Sequence, residues 1–122
     1  MLQRDCALGV ITFKRLDWED YRARIIDISV LGICIETKQQ VEPGLVWFKE
    51  RIGGHRSGVL KWTRAHGDGF RSGIEFVLLP RPTEQYLQEQ LEKPQRHGPL
   101  KDPDRIVASL IETVKQHRNS AS

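Results

Sequence analysis

A chain of 122 residues with 39% apolar and 29% charged content suits one globular domain and is too short for two independent cores. Its two cysteines, Cys6 and Cys34, stand outside any Cys-x-x-Cys spacing, which excludes a disulfide scaffold and favours reduced thiols. The net charge of +3 is spread evenly along the chain, weak grounds for a nucleic-acid binder, and no stretch approaches the roughly 20 apolar residues that span a bilayer.

Residues 8–15 read as a first strand carrying β-favouring Val10, Ile11 and Phe13, with Asp17-Trp18-Glu19-Asp20 as the turn behind it. Residues 21–28 read as a second strand, closed by Ser29-Val30-Leu31-Gly32, after which Ile33-Cys34-Ile35-Glu36-Thr37 alternates as a third. Pro43-Gly44 introduces Leu45-Val46-Trp47-Phe48, and Gly53-Gly54 separates that run from Gly58-Val59-Leu60-Lys61-Trp62, so the two predict a hairpin. His66-Gly67-Asp68-Gly69 makes the next break before a sixth strand over 70–79, with Ile74 and Phe76 on one face. Short strands with turn signals at nearly every gap favour an antiparallel barrel or sandwich.

Pro80 and Pro82 stop the last strand, and Thr83 is expected to cap a helix beginning at Glu84 and ending near residue 92. Residues 93–102 form a linker rich in proline and polar groups. A second helix is expected over 103–122, capped by Asp102 and opened by Pro103, with Ile106, Val107, Leu110, Ile111 and Val114 on one stripe and a frayed end. The predicted architecture is thus an all-β body, a six-stranded antiparallel barrel over 1–92 with its following helix, and a second C-terminal helix.

Signals for an enzyme are missing: the chain has no Gly-x-Ser-x-Gly elbow, no phosphate loop and no His-Glu-x-x-His, and its four histidines lack metal-ligand spacing. A non-enzymatic role without catalytic or metal-ligating residues is expected. With no signal-peptide core at its start, the protein is expected in the cytoplasm, without membrane insertion.

The stretch with most chemical content is Asp27-Ile28-Ser29-Val30-Leu31-Gly32. Asp27 and Ser29 stand two apart, so an extended strand projects both from one face and turns Ile26 and Ile28 into the interior. Strict alternation puts Arg22 and Arg24 on the side of Ile26 and Ile28, away from Asp27, unless a bulge intervenes. Asp27 can accept hydrogen bonds, Ser29 can donate one, and Gly32 is expected to supply the positive φ of a tight turn. The competing reading is that the three simply build that turn. Trp62 either stacks on a base or lies in the barrel wall.

Asp27-x-Ser29-x-x-Gly32, followed in order by Val59-Leu60-Lys61-Trp62 and Gly73-Ile74-Glu75-Phe76, resembles the PilZ family over residues 8–91. The resemblance implies a small six-stranded barrel that receives the bacterial second messenger cyclic di-GMP and acts as a receptor or adaptor in motility, attachment or exopolysaccharide control. In that family an Arg-x-x-x-Arg arm ahead of the first strand folds over the ligand. No Arg-x-x-x-Arg occurs in this chain; Arg4 stands at about the right distance upstream, with Leu8 four residues on. The ligand-binding set implied is therefore Arg4, Asp27, Ser29, Gly32 and Trp62. The alternative is a degenerate PilZ domain that has lost the nucleotide and works as a protein–protein interaction module, through the barrel or the stripe of Ile106, Leu110 and Val114. A third possibility, nucleic-acid binding with Trp47, Trp62 and Phe70 as stacking platforms, rests only on composition and is not expected.

Overall fold

The computed structural model of the protein describes residues 4–12, 17–91 and 97–99, with Ala108 and Glu112 as isolated positions. Six strands, β1 (Arg4–Thr12), β2 (Asp17–Ile28), β3 (Gly32–Thr37), β4 (Gly44–Ile52), β5 (His55–His66) and β6 (Gly69–Val77), run in the order β1-β4-β5-β6-β3-β2. A long β1–β2 pairing closes them into an antiparallel barrel. Closure leaves the six strands with few open edges, which is how small β proteins avoid edge-to-edge association.

Alternation fills the barrel. Leu8 and Val10 of β1, Ala23 and Ile25 of β2, Ile33 and Ile35 of β3, Phe48 of β4, Leu60 of β5 and Ile74 and Phe76 of β6 meet in one buried cluster. Phe48 and Phe76 pack edge to face, with ring centroids 5.9 Å apart. A second apolar cluster lies outside the wall, where Ile11, Trp18, Leu45, Trp47 and Val59 are covered by Tyr86, Leu87 and Leu91 of α1 (Arg81–Leu91). Residues 44–48 of β4 are consequently buried on both faces. The outer wall is thus divided: one half lies under α1, and the half made by β2, β3, β6 and the end of β5 carries no helix among the described residues.

Several expected boundaries shift. Asp17-Trp18-Glu19-Asp20 is strand and not a turn, because Trp18, 3% exposed, has to reach the layer beneath α1, and alternation then sets the exposed Glu19 on the opposite face of the strand. Residues 13–15 of the expected first strand lie outside the described residues. The helix begins at Arg81: the Glu84 amide donates to the Pro80 carbonyl at 3.0 Å, and Thr83 is buried within the first turn instead of capping it. Pro82 is no obstacle there, since a first-turn amide has no intrahelical acceptor. Within the expected linker, β7 (His97–Pro99) pairs with the start of β2 at Asp17, Trp18 and Glu19, a peripheral position that accommodates a proline. Apart from the isolated positions Ala108 and Glu112, the second helix expected over 103–122 lies outside the described residues. No helix among the described residues is long and apolar enough to cross a membrane.

Candidate functional site

Two β-bulges shape the bare half of the wall. Between β2 and β3 the register runs Arg24 opposite Glu36, Ile25 opposite Ile35, then Asp27 opposite Cys34 and Ile28 opposite Ile33, so Ile26 is the extra residue. Between β5 and β6, Leu60 faces Ile74 and Trp62 faces Gly73, leaving Lys61 as the extra residue. Each bulge reverses the alternation behind it. Asp27, two residues after buried Ile25, and Trp62, two residues after buried Leu60, would otherwise point into the core; both point outward.

The outcome is a lateral row across four strands, Asp27, Cys34, Gly73 and Trp62, each facing the next in register. At about 4.8 Å per strand, the row spans roughly 14 Å. Gly73 has a steric purpose: a Cβ there would lie inside the Trp62 indole and 2.9 Å from its Cδ1, so only glycine lets the ring lie against the sheet. Trp62 remains 40% exposed, and the Arg64 guanidinium stands 4.7 Å from its centroid. Trp62 is therefore an outward platform and not part of the barrel filling. A second row runs beside the first, with Asp5, Arg24, Glu36, Arg71 and Arg64 facing one another in turn on five strands. Arg71 pairs with Glu36 at 3.4 Å.

Cys34 belongs to the first row, next to Asp27. Burial pushes its thiol pKa up, the nearby Arg71 and Arg64 pull it down, and Asp27 and Glu36 push it up again. By register, Asp27, Glu36, Arg71 and Arg64 stand on one outer face around Cys34 and Gly73.

The sequence motif itself is partly spent on the chain. The Asp27 carboxylate accepts from the Ile28 amide at 2.9 Å, using one of its oxygens. The Ser29 hydroxyl donates to the Gly32 carbonyl and accepts from the Leu31 and Gly32 amides, each at 3.3 Å, while the Ser29 amide donates to the Gly32 carbonyl at 2.8 Å. The turn-building role expected of Ser29 is thus present, and Asp27 and Ser29 are both exposed. Gly32 does not supply a positive φ, which is found only at Gly53, Gly54 and Gly67 among the described residues. Its Cβ would instead collide with the Ile74 carbonyl oxygen and come within 3.1 Å of the Glu75 Cα, so the motif glycine permits the close approach of β3 to β6. The expectation that Ile26 fills the interior is also corrected: Ile25 and Ile28 face the core, and Ile26 occupies the bulge.

Arg4 stands apart from these groups. It faces Ile25 across β1 and β2 and follows the inward alternation of Cys6 and Leu8. It lines an open cleft of about 960 Å³ with Arg22, Arg24, Lys38, Lys49 and Glu50, and that cleft includes none of Asp27, Ser29, Gly32 and Trp62. Trp47, fully buried under α1, is withdrawn as a stacking platform. Sequence reasoning missed Cys34 as a neighbour of the motif and gave Arg64 and Arg71 no position beside Asp27. The available signal was Gly73, a glycine within an apolar strand, which marks a close approach from outside. It also missed Val30, Leu31 and Leu78, which are 91%, 76% and 92% exposed.

Among the described residues no three His, Cys, Asp or Glu side chains gather closely enough to hold a metal ion. No family model matches the chain, and neither a curated protein nor a solved structure matches it.

Proposed function

We propose that this protein is a PilZ-like signalling module that receives cyclic di-GMP on the outer face of β2, β3, β6 and β5. The reading is carried by one observation, the placement by two bulges of exposed Asp27 and Trp62 at opposite ends of one outward-facing row. A purine stacks on the Trp62 indole above Gly73, and stacking of this kind contributes about 1–3 kcal/mol per base. Asp27 keeps one carboxylate oxygen for a guanine imino or amino group, while Arg71 and Arg64 line the row engaged with Glu36 and with the Trp62 ring. The Ser29 hydroxyl, held within the turn, serves chiefly to fix the backbone that carries Asp27. Arg4 is left out of the site.

Calorimetric titration of cyclic di-GMP into the wild type, Asp27→Ala and Trp62→Ala tests this reading. Saturable binding that each substitution weakens by at least tenfold supports it; absence of heat with the wild type at about 100 µM protein rejects it.

A second reading is favoured by the exposed Val30, Leu31 and Leu78: a PilZ-like module that no longer takes the nucleotide and presents this apolar lip to a protein. The Leu31 carbonyl accepts from the Phe76 amide at 2.8 Å, which holds the lip against the end of β6. Unchanged thermal stability in saturating nucleotide, together with loss of partner capture in Leu31→Ser, identifies this case.

A further inference from the structure

We infer that Arg24, backed by Arg22, supplies from within the barrel wall the cation that grips the ligand's phosphodiester, in place of an arm ahead of the first strand. The inference rests on the cyclic di-GMP reading above and adds to it the source of the positive charge.

Arg22, Arg24 and Asp27 belong to one strand, and simple alternation would set the arginines and the aspartate on opposite faces. The bulge at Ile26 cancels that separation. Ala23 and Ile25 are buried, so Arg22 and Arg24 point outward; Asp27, one step beyond the extra residue, points outward too. Arg24 faces Glu36 and Asp27 faces Cys34, two positions apart on β3, so the two outward groups stand roughly 7 Å apart along the sheet.

Other nearby cations have work already. Arg71 is paired with Glu36, Arg64 lies over Trp62, Lys49 is paired with Asp20 at 3.2 Å and Lys61 with Glu75 at 3.2 Å. Arg22 and Arg24 are exposed and make no ion pair or hydrogen bond with the described residues. Their guanidinium groups are thus ready to receive an anion at no cost in existing contacts, and the planar fork suits two phosphate oxygens at once. Both also line the open cleft, which adjoins the Asp27 row at Arg24 and Glu36. An anionic dinucleotide lying on the row with a base on Trp62 would bring its backbone toward this edge. Arg4, on the opposite alternation, faces the barrel mouth.

The test is calorimetric titration of cyclic di-GMP into the full chain and into Arg24→Ala, Arg24→Lys, Arg22→Ala, Arg4→Ala and Asp27→Ala, each checked for folding by circular dichroism. The expected result is a ten- to hundredfold loss for Arg24→Ala, a smaller loss for Arg24→Lys, a loss of a few-fold for Arg22→Ala and a change under twofold for Arg4→Ala. Added salt should weaken the wild type more steeply than Arg24→Ala. Wild-type binding that Asp27→Ala weakens while Arg24→Ala leaves it intact overturns the inference and leaves the nucleotide reading standing. A tenfold loss in Arg4→Ala with none in Arg24→Ala does the same and returns the cation to the leading strand. No binding by the folded wild type overturns both.

Discussion

Replacing Gly32 by alanine separates a structural role for the motif glycine from a conformational one. The added methyl would collide with the Ile74 carbonyl oxygen and lie 3.0 Å from the Ile74 carbonyl carbon and 3.1 Å from the Glu75 Cα, all backbone atoms without rotamers to yield. The sheet itself must open between β3 and β6. Overpacking of this kind costs about 1–3 kcal/mol, and parting the strands also endangers the bonds from the Phe76 amide to the Leu31 carbonyl and from the Ser29 amide to the Gly32 carbonyl. A total near 3 kcal/mol follows, which for a chain of this size lowers Tm by roughly 12 °C. Gly9→Ala is the control. Its new methyl would meet only the Asp20 Oδ1 at 3.7 Å and the end of the Lys49 side chain at 3.8 Å, so the expected change is within about 0.5 kcal/mol. Urea unfolding followed by tryptophan fluorescence measures both. A loss below 1 kcal/mol for Gly32→Ala, or equal losses for the two variants, refutes the close-approach argument.

Further outcomes are expected elsewhere in the molecule. Arg56 donates to the Phe48 and Lys49 carbonyls at 3.1 and 3.0 Å where β4 departs from β5, so Arg56→Ala should lower stability by about 2 kcal/mol in urea titrations, against almost nothing for exposed Arg51→Ala. Burial raises the Cys6 thiol pKa to about 11, with Arg4 opposing and Asp5 adding to the shift. The neutral thiol is the favoured folded form, so its contribution to stability is complete below about pH 9 and is lost as pH climbs toward 11; alkylation by iodoacetamide should stay slow until that range. Gly73→Ala should lift the Trp62 indole from the sheet, seen as a red-shifted emission that is absent from a Trp62→Phe background.

The strands were legible in the sequence because alternation and turn residues agree, as at Ile33-Cys34-Ile35 and Ile74-Glu75-Phe76, whose apolar members do fill the barrel. Polar composition misled at Asp17-Trp18-Glu19-Asp20: a buried layer beneath α1 outweighed the local turn preference. The bulge at Ile26 entered the sequence reading only as a condition, and the bulge at Lys61 was not legible. One residue added to a ladder changes no local composition, yet it decides which face Asp27 and Trp62 occupy, and with them whether Arg24 belongs to the site. Gly32 illustrates the same limit from the other side, since a glycine needed for φ and a glycine needed for close contact read alike in one sequence. The motif was therefore found by its residue types, while its surroundings came from the register of strands distant in the chain.

Backbone amide and indole NMR signals followed during titration with cyclic di-GMP test the central claim most directly. The account predicts shifts confined to Arg24, Asp27 to Leu31, Cys34, Arg71, Gly73 and the Trp62 indole, with Arg4 and the residues beneath α1 unmoved. Spectra that stay unchanged at saturating nucleotide, or shifts gathered around Arg4 with Trp62 silent, would contradict it.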